Sequence, residues 1–283
     1  MTPSIGLYAA NMRALASPTE AARVARLAED LGYDSLWVAD HVVVPSPRVP
    51  PSPMEPTEAL LDPVVSLTFF AAHTSRIKLA TGVLVLPQRN PLILAKQLAS
   101  VDVLSGGRLV AGVAAGYLEP ELRAVGVPLE RRGARTDEHL AAMRSLWHDA
   151  SPTFSGEFVQ FSGVDAFPRP VQNPVPVVVG GHSRLALRRA ARFGDGWFGY
   201  LLGLRAAREH LAELASVVAE VGRSLPLEIT VTPSRRLDPD SVGEYGGMGV
   251  NRLVVAPMPG WSVAEIEEFV RANAPERIGA ACS

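Results

Sequence analysis

The feature that most restricts how this chain can fold is an alternation. Short apolar runs with β character are separated, almost from end to end, by longer segments with helical spacing. The runs fall at 5–8, 35–39, 77–86 (interrupted by Gly82), 108–113, 175–179, 196–199, 227–231 and 252–256. Between the first two, Ala21, Val24, Ala25, Ala28 and Leu31 recur at helical spacing, with Ser17 as N-cap, Pro18 as first residue and Gly32 as stop. Eight strand–helix units with nearly continuous apolar strands describe a closed parallel barrel, because each strand is covered by the barrel interior on one face and by helices on the other. An open doubly wound sheet normally has fewer units, and no G-x-G-x-x-G turn follows the first strand here. The sequence predicts an α/β protein, a (β/α)8 TIM barrel.

The 283 residues suit one such domain, 1–283, since these barrels take roughly 250 residues. Two stretches break the alternation, a proline-rich one at 43–61 after the second strand and an irregular one at 150–174 before the fifth. Both are expected as loop insertions, where barrels place function. A formal net charge of -2 gives no bulk attraction to nucleic acid or anionic membrane. Cys282 is the only cysteine, which excludes an internal disulfide and a cysteine-rich metal site. No basic-then-apolar leader opens the chain, and no apolar run approaches the ~20 residues of a membrane span. A soluble, cytoplasmic protein is expected. Lys78 and Lys96 are its only lysines, and Ala, Gly, Pro and Arg abound, a bias that suits a GC-rich genome such as an actinobacterial one.

In an eight-fold barrel the residues just after each strand converge on one mouth. Here they are Ala9-Ala10-Asn11, Asp40-His41, Thr81-Gly82-Val83-Leu84, Ala114-Ala115-Gly116-Tyr117, Gly180-Gly181-His182-Ser183 and Trp197-Phe198-Gly199-Tyr200. Small residues dominate, charges are few, and two histidines are present. Such a surface suits a flat, largely uncharged ring more than a metal or a sugar. No spacing of histidines and carboxylates fits a metal site, and no nucleophilic triad is visible.

Several segments, in order, resemble the luciferase-like monooxygenase superfamily: RIKLATGVLVLP at 76–87, NPLILAKQ at 90–97, LSGGRL at 104–109, VGG at 179–181 and AARFGDGW at 190–197. Within it the chain is most similar to the actinobacterial branch that uses coenzyme F420, an 8-hydroxy-5-deazaflavin. The resemblance implies a bacterial luciferase-like barrel, frequently dimeric. It further implies hydride transfer between the deazaflavin and a small organic substrate. An FMN-dependent monooxygenase and a non-catalytic flavin-binding protein are the alternatives.

The resemblance also assigns roles. His41 faces the reactive edge of the ring and exchanges a proton or stabilises charge; its structural alternative is a histidine packed under the loop. Asp40 either orients His41 or ties down the long loop. Thr81-Gly82-Val83 forms a bulge, in many members with a non-proline cis peptide, that presses on the back of the ring. Val179, Gly180, Gly181, His182 and Ser183 lead into a helix whose first N–H groups can receive a phosphate, although Ser183 could simply be an N-cap. Ala9, Ala115 and Gly116 complete the cofactor pocket. Where many members carry an acidic residue after the fourth strand and an aromatic one after Asp-His, this chain has Tyr117 and Pro45. Tyr117 is then the nearest candidate donor or lid. Arg123, Arg131, Arg132 and Arg135 could meet the carboxylates of a deazaflavin tail or be solvated. His139, His148 and His210 lie in helices and are expected to be structural.

Overall fold

A computed structural model describes residues 2–282. Eight parallel strands among these residues form the barrel: β1 Ser4–Tyr8, β2 Ser35–Val38, β3 Lys78–Thr81, β4 Leu109–Ala114, β5 Val177–Gly180, β6 Gly196–Leu202, β7 Glu228–Pro233 and β8 Arg252–Val255. Each pairs with its sequence neighbour, and β1 pairs with β8 (Leu7 opposite Val255), so the sheet closes without an edge. The helices outside are α1 Pro18–Asp30, α2 Pro63–His73, α3 Pro91–Ser105, α4 Arg132–His148, α5 Arg184–Phe193, α6 Leu204–Val221, α7 Pro239–Gly247 and α8 Val263–Ala272. No helix among the described residues is long and apolar enough to cross a membrane.

Alternation along each strand divides the core into two layers. Leu36, Leu79, Val177, Val179 and Leu253 belong to the layer between strands and helices. Their neighbours Trp37, Ala80, Val178 and Val254 fill the barrel interior with Val110 and Phe198, and Tyr8 and Val83 pack against that inner cluster. At Gly112 the β3–β4 contact allows no side chain: a Cβ there would stand 1.8 Å from the Thr81 carbonyl oxygen. Thr81 Oγ1 also donates to the Gly112 carbonyl at 2.7 Å.

The sequence expectations shift in three places. The fifth strand starts at Val177 rather than 175, since Pro176 has no N–H for the ladder. The sixth runs on to Leu202, carrying Tyr200 on the sheet itself. The stretch after β4 contains a short helix, Glu119–Ala124, that apolar periodicity did not reveal. Within the 150–174 insertion, Phe154–Ser155 and Gln160–Phe161 pair antiparallel. The Glu138 carboxylate steadies their turn by accepting the N–H groups of Glu157, Phe158 and Val159 at 2.6–2.9 Å.

Candidate functional site

The loop after β2 leaves the barrel at Asp40-His41 and returns at Asp62, the N-cap of α2. Asn11, fully buried, holds both ends: its amide nitrogen donates to the carbonyls of Ala39 (3.0 Å) and Leu61 (2.7 Å), and its oxygen accepts from Ala39 N–H. The Asp40 carboxylate is engaged away from the His41 ring. Buried, it accepts from Val85 N–H (3.0 Å) and from Arg89 Nη2 (2.7 Å), and Arg89 reaches Asp62 as well. Of the two roles open to Asp40 in the sequence, the geometry favours anchoring the loop.

His41 has another partner. Its Nδ1 lies 2.8 Å from Glu121 Oε2, and Glu121 Oε1 accepts the Val42 N–H at 2.6 Å. The glutamate is 1% exposed. It stands on the short helix after β4, four residues beyond Tyr117. An acidic side chain does reach this place, from a position the sequence reading passed over. Tyr117 is 51% exposed, with its ring perpendicular to His41 at 6.2 Å. Burial, and then the Glu121 charge, raise its pKa above the ordinary phenol range.

Two further tyrosines join it: Tyr8, which the sequence reading passed over, and Tyr200, which it placed at the mouth without a role. Tyr8, at the end of β1, donates its hydroxyl to the Gly82 carbonyl at 2.7 Å. Tyr200, within β6 two residues before its end, has its ring 5.4 Å from that of Tyr8. Both phenols are pushed upward, chiefly by burial, and Tyr8 additionally by Tyr200 and Tyr117. The signal that could have singled them out is position, since Tyr8 ends β1 and Tyr200 lies in the last three residues of β6.

The Gly82–Val83 peptide bond is cis. A Cβ on Gly82 would come within 2.9 Å of the Tyr8 ring, and one on Gly180 within 3.1 Å of the Val83 side chain, so the bulge and the β5–α5 turn are in contact. In that turn Gly181 has φ +122, a conformation that L side chains rarely adopt. Ser183 caps α5, accepting from Ala186 N–H at 3.3 Å. His182 Nε2 accepts the Tyr200 N–H at 3.0 Å, and its ring stacks on His210 at 4.8 Å. Burial, with His210 beside it, lowers the His182 pKa. His210, expected to be structural, is thus a neighbour of the turn.

The structure therefore links His41 and Tyr117 with Tyr200, Tyr8 and Gly82-Val83, and these with Gly180 to Ser183. Ala9 is buried near the same rim with φ 61. Gly116, with Ala115 beside it, follows β4 at φ 79 and accepts from Arg132 Nε at 2.9 Å. Two expected side chains are turned elsewhere. The Thr81 hydroxyl is engaged by Gly112, and Val179 packs in the outer layer, which leaves only their backbones to meet a ligand. The four arginines proposed for a cofactor tail also have partners: Arg123 on Glu119, Arg131 on Glu157, Arg132 on the Gly116 and Leu129 carbonyls, and Arg135 over the Phe158 ring. No group of three or more metal-ligating side chains occurs among the described residues.

Comparison with known proteins agrees with this architecture. The family model described as luciferase-like monooxygenase matches residues 4–239. An uncharacterized protein of Mycobacterium tuberculosis is 34% identical over 258 residues, 88% of this chain and 90% of the relative. The F420-dependent glucose-6-phosphate dehydrogenase of Kineococcus radiotolerans is 33% identical over 186 residues, 64% of this chain and 52% of that enzyme. Among solved structures, monooxygenase RslO1 from Streptomyces bottropensis superposes with a TM-score of 0.75 at 22% identity, covering 96% of this chain and 99% of that one.

Proposed function

Because the chain belongs to the luciferase-like monooxygenase family, we propose that it is an oxidoreductase that uses coenzyme F420 to move a hydride to or from a small organic substrate at the barrel mouth. The observation that carries this reading is the convergence just described: His41 on Glu121, the Gly82-Val83 bulge backed by Tyr8, and the Gly181–Ser183 turn at the start of α5. The 33% identical F420-dependent relative supports the deazaflavin reading.

The residues fit such a group. Gly181 leaves the backbone before α5 uncovered, and the first N–H groups of that helix suit a phosphate. Gly82 and Val83 offer a flat, uncharged backing. When bound, the deazaflavin supplies the carbon that exchanges hydride. The chain supplies the rest: Tyr8 fixes the Gly82 carbonyl, Tyr117 and Tyr200 shield the site from water, and His41 holds or moves the substrate's proton.

The test is an equilibrium titration of the purified protein with coenzyme F420 and with FMN, followed by quenching of intrinsic fluorescence. The deazaflavin is expected to bind at least about tenfold tighter, a difference of ~1.4 kcal/mol. Tighter FMN binding would replace this reading with that of an FMN-dependent monooxygenase. Binding of neither would remove both.

A further inference from the structure

We propose that Glu121 is a positioning residue that fixes the tautomer of His41, so that Nε2 is the atom that exchanges a proton with substrate. The inference rests on the reading that His41 serves the substrate. Three observations carry it.

The carboxylate is 1% exposed and uses both oxygens, Oε2 facing His41 Nδ1 at 2.8 Å and Oε1 receiving the Val42 N–H at 2.6 Å. An ionised carboxylate only accepts hydrogen bonds, so the ring nitrogen facing it must carry the proton. The hydrogen bond of the ring runs through Nδ1 alone among the described residues, and the side chain is 13% exposed, which leaves Nε2 for substrate. Finally, the neighbouring carboxylate cannot substitute, because Asp40 is engaged by Arg89 and Val85. Tyr117, at the position where related sequences carry an acid, touches His41 only ring to ring.

Three residues thereby determine one proton position: His41 and Val42 in the loop after β2, and Glu121 on the short helix after β4. When a substrate hydroxyl passes its proton to Nε2, the O–H bond breaks, an N–H bond forms, and the resulting imidazolium keeps its Nδ1–H on Glu121. The reverse transfer returns the proton to the substrate oxygen. A carboxylate behind the ring stabilises that cation in either direction.

The experiment is nitrogen NMR of the imidazole side chains in the full-length protein without coenzyme, with His41→Asn identifying the signal. In the neutral ring of the wild type, His41 is expected to carry its proton on Nδ1. In Glu121→Gln the amide meets two donors, His41 Nδ1–H and Val42 N–H, with only one oxygen, so the ring is expected to move towards the Nε2–H form. With coenzyme and a turned-over substrate, Glu121→Gln should lower kcat at least ~100-fold, by analogy with a misplaced tautomer in hydrolase triads, while coenzyme Kd stays within about twofold. An Nε2–H ring in the wild type, or an unchanged tautomer in Glu121→Gln, would overturn the proposal. If that variant does not fold, the wild-type tautomer alone decides. Failure of the coenzyme to bind would sink the functional reading while leaving the tautomer measurement intact, so the two can be told apart.

Discussion

Replacing Arg89 with alanine tests how the mouth is held in shape. The Asp40 carboxylate has no exposed side-chain surface and takes its hydrogen bonds from Val85 N–H at 3.0 Å and Arg89 at 2.7 and 3.4 Å. Arg89→Ala strands a buried carboxylate on one backbone donor. Removing one partner of a buried pair costs about 3–5 kcal/mol, mostly because the remaining charge is uncompensated. The second contact of Arg89, to Asp62, adds little, since that carboxylate is 43% exposed and screened by water. At about 2–4 °C per kcal/mol for large domains, Tm should fall by roughly 6–20 °C in a differential scanning experiment. Asp62→Ala, which removes the α2 cap, should cost less, about 0.5–2 kcal/mol. The double variant Asp40→Asn/Arg89→Ala should recover part of the Arg89→Ala loss, because no charge is left buried. If Arg89→Ala melts within about 3 °C of wild type, well short of the loss expected for a stranded charge, the anchoring role assigned to Asp40 is refuted.

Other outcomes follow from the same geometry. Gly112→Ala puts a Cβ 1.8 Å from a backbone oxygen in the barrel wall; no native-like circular dichroism or cooperative melt is expected, and a normal melt would show that the β3–β4 approach is wrong. Tyr8→Phe deprives the Gly82 carbonyl of its donor at a cost of about 1 kcal/mol, and coenzyme Kd should rise by about fivefold; an unchanged Kd would dissociate Tyr8 from the ring site. Burial is the leading cause of the lowered pKa of His139, His148 and His182. The unfolded chain therefore takes up protons, near the ordinary imidazole value of about 6.5, that the folded chain resists. Their contribution is fully present above that value and is lost as pH falls through the lower folded values. Urea midpoints should drop across that window, and flat midpoints would contradict the burial of these rings.

The barrel was legible in the sequence because the strands are buried on both faces and read as apolar runs, and because helices stop at residues such as Gly106, which takes a left-handed conformation (φ 69). The positions of His41, Gly82 and Gly181 were legible for a similar reason: the end of a strand is a topological address. What adjacency could not supply was parity. Val178 faces inward while Val179 faces the helices, so a run of residues at the end of a strand does not present every side chain to the mouth; Thr81 and Val179 went astray for this reason. Nor does adjacency reveal long-range partners. Glu121 lies 80 residues from His41, and Arg89 lies 49 from Asp40. Only the folded barrel brings these pairs together. A charged residue on the first turn after a barrel strand was the available clue to Glu121, obscured by Glu119 two positions earlier.

The most direct measurement is a crystal structure of the protein with the deazaflavin bound. The ring is expected to lie against Gly82 and Val83 with one edge towards His41, and its phosphate against Gly181, Ser183 and the first turn of α5. Density for the ring elsewhere would contradict the whole assignment; the cleft of about 440 Å³ beside Arg144, His148 and Phe193 on the outer helices is one such place.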